Sequence, residues 1–403
     1  MDGELSHVSQ AAEIMNGGPA ENRARLYLWW SRLAAMTAKE LIQFGRDTLL
    51  LVAIAYLFVF DTYMAGSVSM QLNHAVVVVH DADHSAASRE LIHRFRPPYF
   101  KLGGEVLDNR AGQRLLDQGQ ALVALDIPPH FERDILQGKP TDVQVQVDAS
   151  NTVLGFLASS YAAQIIGQYG FDQALARLGV IERSMQNVPM IRDEHRIWYN
   201  PNQNDAWFMP IAELLTVITI MAIMLPAAAA VREKERGTIE QLLVSPLTPI
   251  QILLPKVIAM TLVILLGTAV SLFFVLHGVF DVPMKGSLVL FFAVTTLYTF
   301  TTAGLGLYIA TLSRNLAQAA MLAILVLMPM IFLSGAWTPP EAMPAGMREA
   351  MVLSPLYHFI EMGYGILLKG AGLDVLWDSL LGLALLGTTI FGLGVWRFKR
   401  QFA

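Results

Sequence analysis

Val231-Arg-Glu-Lys-Glu-Arg-Gly-Thr-Ile-Glu-Gln-Leu-Leu-Val-Ser-Pro246 is a dense block of charge set directly between two long apolar runs. The run before it, Trp207 to Ala230, has about the length at which a helix crosses a bilayer, and another starts near Val257. The block is therefore expected in water at a membrane face, as a short loop with its own helical turn. Six apolar segments emerge around it, roughly 48–70, 207–231, 257–280, 286–312, 317–333 and 375–396, and each is read as a span. The first is the weakest, because uninterrupted apolar sequence runs only from Leu49 to Phe60 before Asp61, a length that also suits a core helix. Its continuation, Tyr63 to Met70, is mild enough to complete a crossing.

Composition agrees. Of 403 residues, 54% are hydrophobic and 15% charged, with a mean hydropathy of +0.47, whereas a soluble domain carries about 25% charge. Cysteine is absent, which removes disulfides, thiolate metal sites and a cysteine nucleophile. The first 47 residues are polar and charged and do not read as a cleavable signal peptide.

Lys and Arg in the short connecting segments set the orientation. With the N-terminus inside, thirteen fall on the inner side, among them Arg46, Arg232, Lys256 and Arg400, against Lys285, Arg348 and Lys369 outside. Both termini are thus expected in the cytoplasm. Residues 1–47 form a cytoplasmic segment, in which Leu26 to Arg46 interleaves Trp29, Trp30, Leu33, Met36, Leu41 and Phe44 with Arg32, Lys39 and Arg46. That pattern suits an amphipathic helix on the inner surface, or a plain extension of the first span.

Residues 71–206 carry the charge of a folded domain. Ala75 to Val79 and Ala121 to Leu125 suit buried strands, and Val143 to Val147 alternates as a half-exposed strand does. Between them lie helical candidates: one from Ser85 as cap to His93, one over Arg110 to Gln118, one over Pro128 to Gln137 with Pro129 in its first turn, and a long one over Asn151 to Leu178. The fold expected is an α-helical membrane protein of six transmembrane helices with an extracytoplasmic α/β domain inserted between the first two.

Chemistry is sparse. His80-Asp-Ala-Asp-His84 offers metal-ligand types within five residues, but Asp81 and Asp83 are better read as turn formers and Ser85 as a helix cap. His93, His130 and His195 are scattered, and no nucleophile, paired-carboxylate or P-loop pattern is present. The chain is not expected to be an enzyme, to hold a metal or cofactor, or to bind nucleic acid. Any ATP and Mg must be held by a partner.

Charges within the spans mark a pathway or a pairing role. Asp61 lies about 13 residues into the first span, or ~20 Å, and Glu213 lies ~9 Å into the second from the opposite side, so the two acids can share one level. They line an outward cavity or serve helix–helix hydrogen bonding. Ser334 to Pro344 cannot continue a helix through its prolines, so 334–368 is read as an outer, re-entrant segment. Within it His358 and Glu361, three apart, are further candidates for the pathway.

This order of features, with Glu233, Gly237 and Thr238 as a Glu-x-x-x-Gly-Thr core and Asn200-Pro-Asn ahead of the second span, resembles the ABC-2 type permeases. It resembles in particular the bacterial inner-membrane branch linked to multidrug export, and the resemblance covers nearly the whole chain. The resemblance implies a cytoplasmic ATP-binding-cassette ATPase docked on the 231–246 loop through Glu233, Glu235, Arg236, Gly237, Thr238 and Glu240. It also implies a second permease half, identical or paralogous, and a periplasmic adaptor protein. Movement would pass through the helices while the ATPase hydrolyses the nucleotide. A competing reading is a multi-span receptor or scaffold whose outer domain binds a ligand, with the loop charges serving only to keep it in water.

Overall fold

Asp47 opens the first long apolar helix, because its Oδ1 accepts the Leu50 N–H at 3.2 Å and caps the helix end. The computed structural model describes residues 19–68, 71–177, 198–202, 204–237, 248–336, 338 and 340–402. His195 and residues 238–247 lie outside them. The chain divides into two compact units, one from the segments up to Val68 and from Ile197 onward, the other from Ser69–Arg196.

In the first unit the amphipathic segment is one helix, α1 (Pro19–Gly45), and Asp47 then starts α2 (Thr48–Ser67), which widens to a π-turn over Tyr56–Asp61. α7 (Asp205–Glu235) runs unbroken through the first five residues of the charged block, where a short loop with a helical turn was expected. α8 (Pro249–Val270, continued to His277) starts eight residues before the expected Val257, because Thr248 and Gln251 form a capping box around Pro249. Then follow α9 (Leu288–Leu312), α10 (Leu316–Phe332), α11 (Ala345–Met351), α12 (Pro355–Tyr364) and α13 (Leu373–Phe402).

Among the described residues, α2, α7, α8, α9 and α13 are long and apolar enough to cross a membrane. α10 is apolar but has 17 residues, the lower limit for a crossing, while α11 and α12 pass only as a pair bent by 79°. The bend agrees with the helix-breaking prolines ahead of it. α9 lies at the centre of the packing. A Cβ on Gly304 would fall 2.6 Å from the Phe391 Cα, and Gly394 meets the Gly304 carbonyl, so α9 and α13 approach backbone to backbone as small residues permit. The Thr219 hydroxyl and Tyr298 hydroxyl are 2.8 Å apart, and Tyr298 stacks on Phe359 at 4.0 Å, which gives the buried tyrosine both a polar partner and an aromatic one.

The second unit is a four-stranded sheet in the order β2-β1-β3-β4, with β1 (Ala75–Asp81) parallel to both β2 (Phe100–Glu105) and β3 (Val123–Ile127), and β4 (Gln144–Val147) antiparallel to β3. Val77, Val79, Leu125 and Ile127 face a core closed by α3 (Ala86–Arg94), α5 (Phe131–Gln137) and α6 (Thr152–Arg177). α4 (Asn109–Asp117) covers the other face over Val78 and Ala124. α5 starts later than expected: His130 is left-handed at φ 69°, which leaves Pro128 and Pro129 outside the helix.

Candidate functional site

Successive residues of a helix point about 100° apart, and the charged end of α7 uses this to reach five neighbouring helices. Arg232 donates to Asp47 Oδ2 at 2.7 Å, at the start of α2. Glu233 Oε1 accepts from Lys256 Nζ of α8 at 2.6 Å and from Lys39 Nζ of α1 at 3.4 Å. Lys234 Nζ donates to the Ala310 carbonyl at 2.6 Å and the Ser313 carbonyl at 3.2 Å, at the end of α9. Glu235 Oε1 accepts the Leu316 N–H at 3.0 Å, at the start of α10. Arg236 ends the helix, and Gly237 follows in the left-handed region at φ +64°, a conformation that costs a β-carbon residue about 1–2 kcal/mol.

At the centre lies a buried charge network. Lys256 bonds both Glu233 and, at 2.8 Å, Glu40 of α1, while Lys39 reaches Glu40 at 3.1 Å. Lys256, Glu40 and Glu233 are 2%, 4% and 7% exposed. Among the described residues two acids thus meet two cations, so their charges balance. Burial pushes the Glu40 carboxyl up, but Lys256 and then Lys39 outweigh it and hold the group below its usual range. Burial likewise pulls Lys39 down, and its contacts with Glu40 and Glu233 outweigh it, raising the ammonium above its usual value. The Asp47 carboxyl is lowered by the Leu50 N–H and then by Arg232.

Glu233 is therefore turned inward onto this chain's own lysines, whereas Glu235, Arg236 and Gly237 are exposed. Thr238 and Glu240 lie outside the described residues. Sequence reasoning missed Glu40, Lys39 and Lys256. A signal existed for Lys256, a lone cation within the apolar run Ile252-Leu-Leu-Pro-Lys-Val-Ile258, which demands an acid partner once the helix is known to start at Pro249.

Asp61 of α2 and Glu213 of α7 do come together, close enough for each carboxyl group to act on the other. His358 and Glu361 are held by different partners. His358 is buried with Nε2 3.0 Å from the Val352 carbonyl, while Glu361 Oε2 accepts from the Ser379 hydroxyl at 2.5 Å on α13. In the second unit the acids of the His80–His84 segment serve the turn. Asp81 Oδ1 accepts the N–H groups of Asp83 and His84, both at 3.0 Å, and its Oδ2 accepts from Ser88 at 2.6 Å. Asp83 Oδ2 accepts the Glu132 N–H at 2.9 Å and so caps α5 from a distance in sequence. Among the described residues no three His, Asp or Glu side chains converge as a metal site.

The family model described as ABC-2 family transporter protein matches residues 48–396. The inner membrane transport permease YhhJ of Escherichia coli is 35% identical over 364 residues, which cover 90% of this chain and 95% of that protein. Two proteins of the same organism named as probable multidrug ABC transporter permeases are also similar. YbhR is 30% identical over 83% of this chain and 88% of its own length, and YbhS is 28% identical over 93% and 98%.

Proposed function

The chain belongs to the ABC-2 family of transporter proteins, and from that premise we propose that it is the permease subunit of an exporter in a bacterial inner membrane, driven by a separate ATP-binding-cassette ATPase. The observation that carries the reading is the fan of contacts from residues 232–235, which ties one short helix end to α1, α2, α8, α9 and α10. A push on its exposed tip is delivered to those helices together, because packed helices move as rigid bodies.

In this reading the ATPase holds ATP and Mg and docks against Arg236, Gly237 and the following Thr238 and Glu240. Glu235 stands at the edge of the docking surface, and Glu233 anchors it from behind. Both termini and the charged end of α7 face the cytoplasm, and the sheet-containing unit lies outside the membrane on the far side, where an adaptor protein can engage it. A second permease half completes the path. Asp61 and Glu213 line that path, with His358 and Glu361 contributing at its outer end. The inner-membrane assignment draws on the printed name of YhhJ, and multidrug cargo on those of YbhR and YbhS.

The test is to coexpress the permease with its ATPase and replace Arg236 by Glu or Gly237 by Val. Transport and permease-stimulated ATP hydrolysis should fall while membrane insertion persists. Normal transport by both variants sinks the docking assignment, and accessibility labelling that puts Gly237 on the same side as the sheet unit sinks the topology.

A further inference from the structure

A groove of about 650 Å³ opens where α1, the start of α2 and the charged end of α7 meet. One wall is Lys39 and Ile42 of α1 with Arg46 in the turn just after it, at three- and four-residue steps, and the other is Arg232 and Arg236 at the end of α7, four apart. Four cations face this groove, and Asp47 is the one carboxylate among the described residues lining it. Asp47 is already engaged by the Leu50 N–H and Arg232, and Lys39 by Glu40 and Glu233. Arg46 and Arg236 are exposed, and neither makes a direct ion pair with an acid among the described residues, although Arg236 lies near enough to Asp47 to favour its charged form. Like charges at this spacing repel, so the groove is electrostatically complete only with an anion in it.

The place identifies the anion. The groove sits at the first turn of a helix long and apolar enough to cross a membrane, and its apolar border is open: Ile42 is 57% and Leu49 81% exposed. Arg side chains present a fork of donors that matches phosphate oxygens, and basic pockets between helices at a membrane face take anionic headgroups. We propose that this groove binds the phosphate of an anionic phospholipid such as phosphatidylglycerol, with Arg46 and Arg236 on the phosphate oxygens and the acyl chains along Ile42 and Leu49. The lipid then bridges α1 to the helix tip that carries Gly237, and this holds whichever way substrate moves.

The experiment uses the full chain purified in detergent and titrated separately with phosphatidylglycerol, phosphatidylcholine and inorganic phosphate, reading thermal unfolding and lipid retention by native mass spectrometry. Phosphatidylglycerol should bind and raise the unfolding temperature, and the other two should not. The pair Arg46→Gln with Arg236→Gln should weaken that binding about thirtyfold, at roughly tenfold or less per cation, while Arg46→Lys with Arg236→Lys should keep part of it. Should the double Gln chain fail to fold, Arg46→Gln alone, at an exposed position in the turn after α1, must still weaken binding. Equal stabilisation by phosphatidylcholine, full protection by inorganic phosphate, or lipid binding untouched in the Gln variants while a copurifying ATPase is lost would each overturn the assignment.

Discussion

Lys256 Nζ and Glu233 Oε1 lie 2.6 Å apart on neighbouring helices, both almost removed from solvent, and the same ammonium holds Glu40 at 2.8 Å. Three elements far apart in sequence thus share one cation. Such a network adds little net stability, because desolvation offsets the attraction, but it is costly to break from one side and so enforces one arrangement of α1, α7 and α8.

Replacing Lys256 by Met leaves two carboxylates buried without their central cation and should destabilise the helical unit by about 3–5 kcal/mol. Adding Glu40→Gln and Glu233→Gln should recover most of that loss. Unfolding of the purified variants in detergent measures both effects, and failure of the triple variant to recover would show that the network does more than balance charge.

Acid should loosen the same contact only at low pH. The Glu40 carboxyl is held below its usual value, chiefly because its lysine partners outweigh burial, so its contribution is complete above the unfolded value of about 4.3 and is lost as pH falls through the lower folded one. The stability gap between the parent chain and Glu40→Gln is therefore expected to stay constant from neutrality to about pH 5 and to close below about pH 4. A gap that closes near neutrality contradicts the assignment.

Among the described residues, apart from its chain neighbours, nothing lies within 4 Å of a β-carbon built on Gly237, so among them its positive φ is the restriction on the position. Gly237→Asn, which tolerates the left-handed region, should keep coupling, whereas Gly237→Val should lose about 1–2 kcal/mol locally and uncouple ATP hydrolysis from transport. Equal activity of the two would remove the backbone argument.

Asp83→Ala strips α5 of its cap and should cost about 1 kcal/mol, read as faster amide exchange at Phe131 and Glu132. The Asp83 carboxyl is also held low: partial burial pushes it up, and bonds from Ser85 and the N–H groups of Glu132, His130 and Phe131 outweigh that. Protection of α5 should accordingly persist at neutral pH and fade in acid, below about pH 4.

Asp61→Asn keeps a polar group beside Glu213 while removing one of two neighbouring carboxyls. Membrane insertion should be unchanged and transport reduced. Unaltered transport would reassign the pair to helix packing.

The long apolar helices and the cap at Ser85 were readable because run length, periodicity and cap chemistry are local properties. β2 was not, since Phe100–Glu105 contains two glycines and leaves all but Phe100 exposed, a pattern with neither alternation nor a continuous apolar run. Nor was the true start of α8, where the capping box around Pro249 outweighs the polar character of Gln251 and Lys256.

Residue order along the chain dictated which segments are apolar enough to enter a bilayer, where an α/β unit interrupts them and where charge must return to water, because each depends on neighbours a few positions away. Partner choice was decided in three dimensions. Glu233 reads as a docking charge until folding sets it against Lys39, 194 positions away, and Lys256 meets Glu40 across 216. A charge seeks the nearest opposite charge in space once water is removed, and no local pattern records which one that will be.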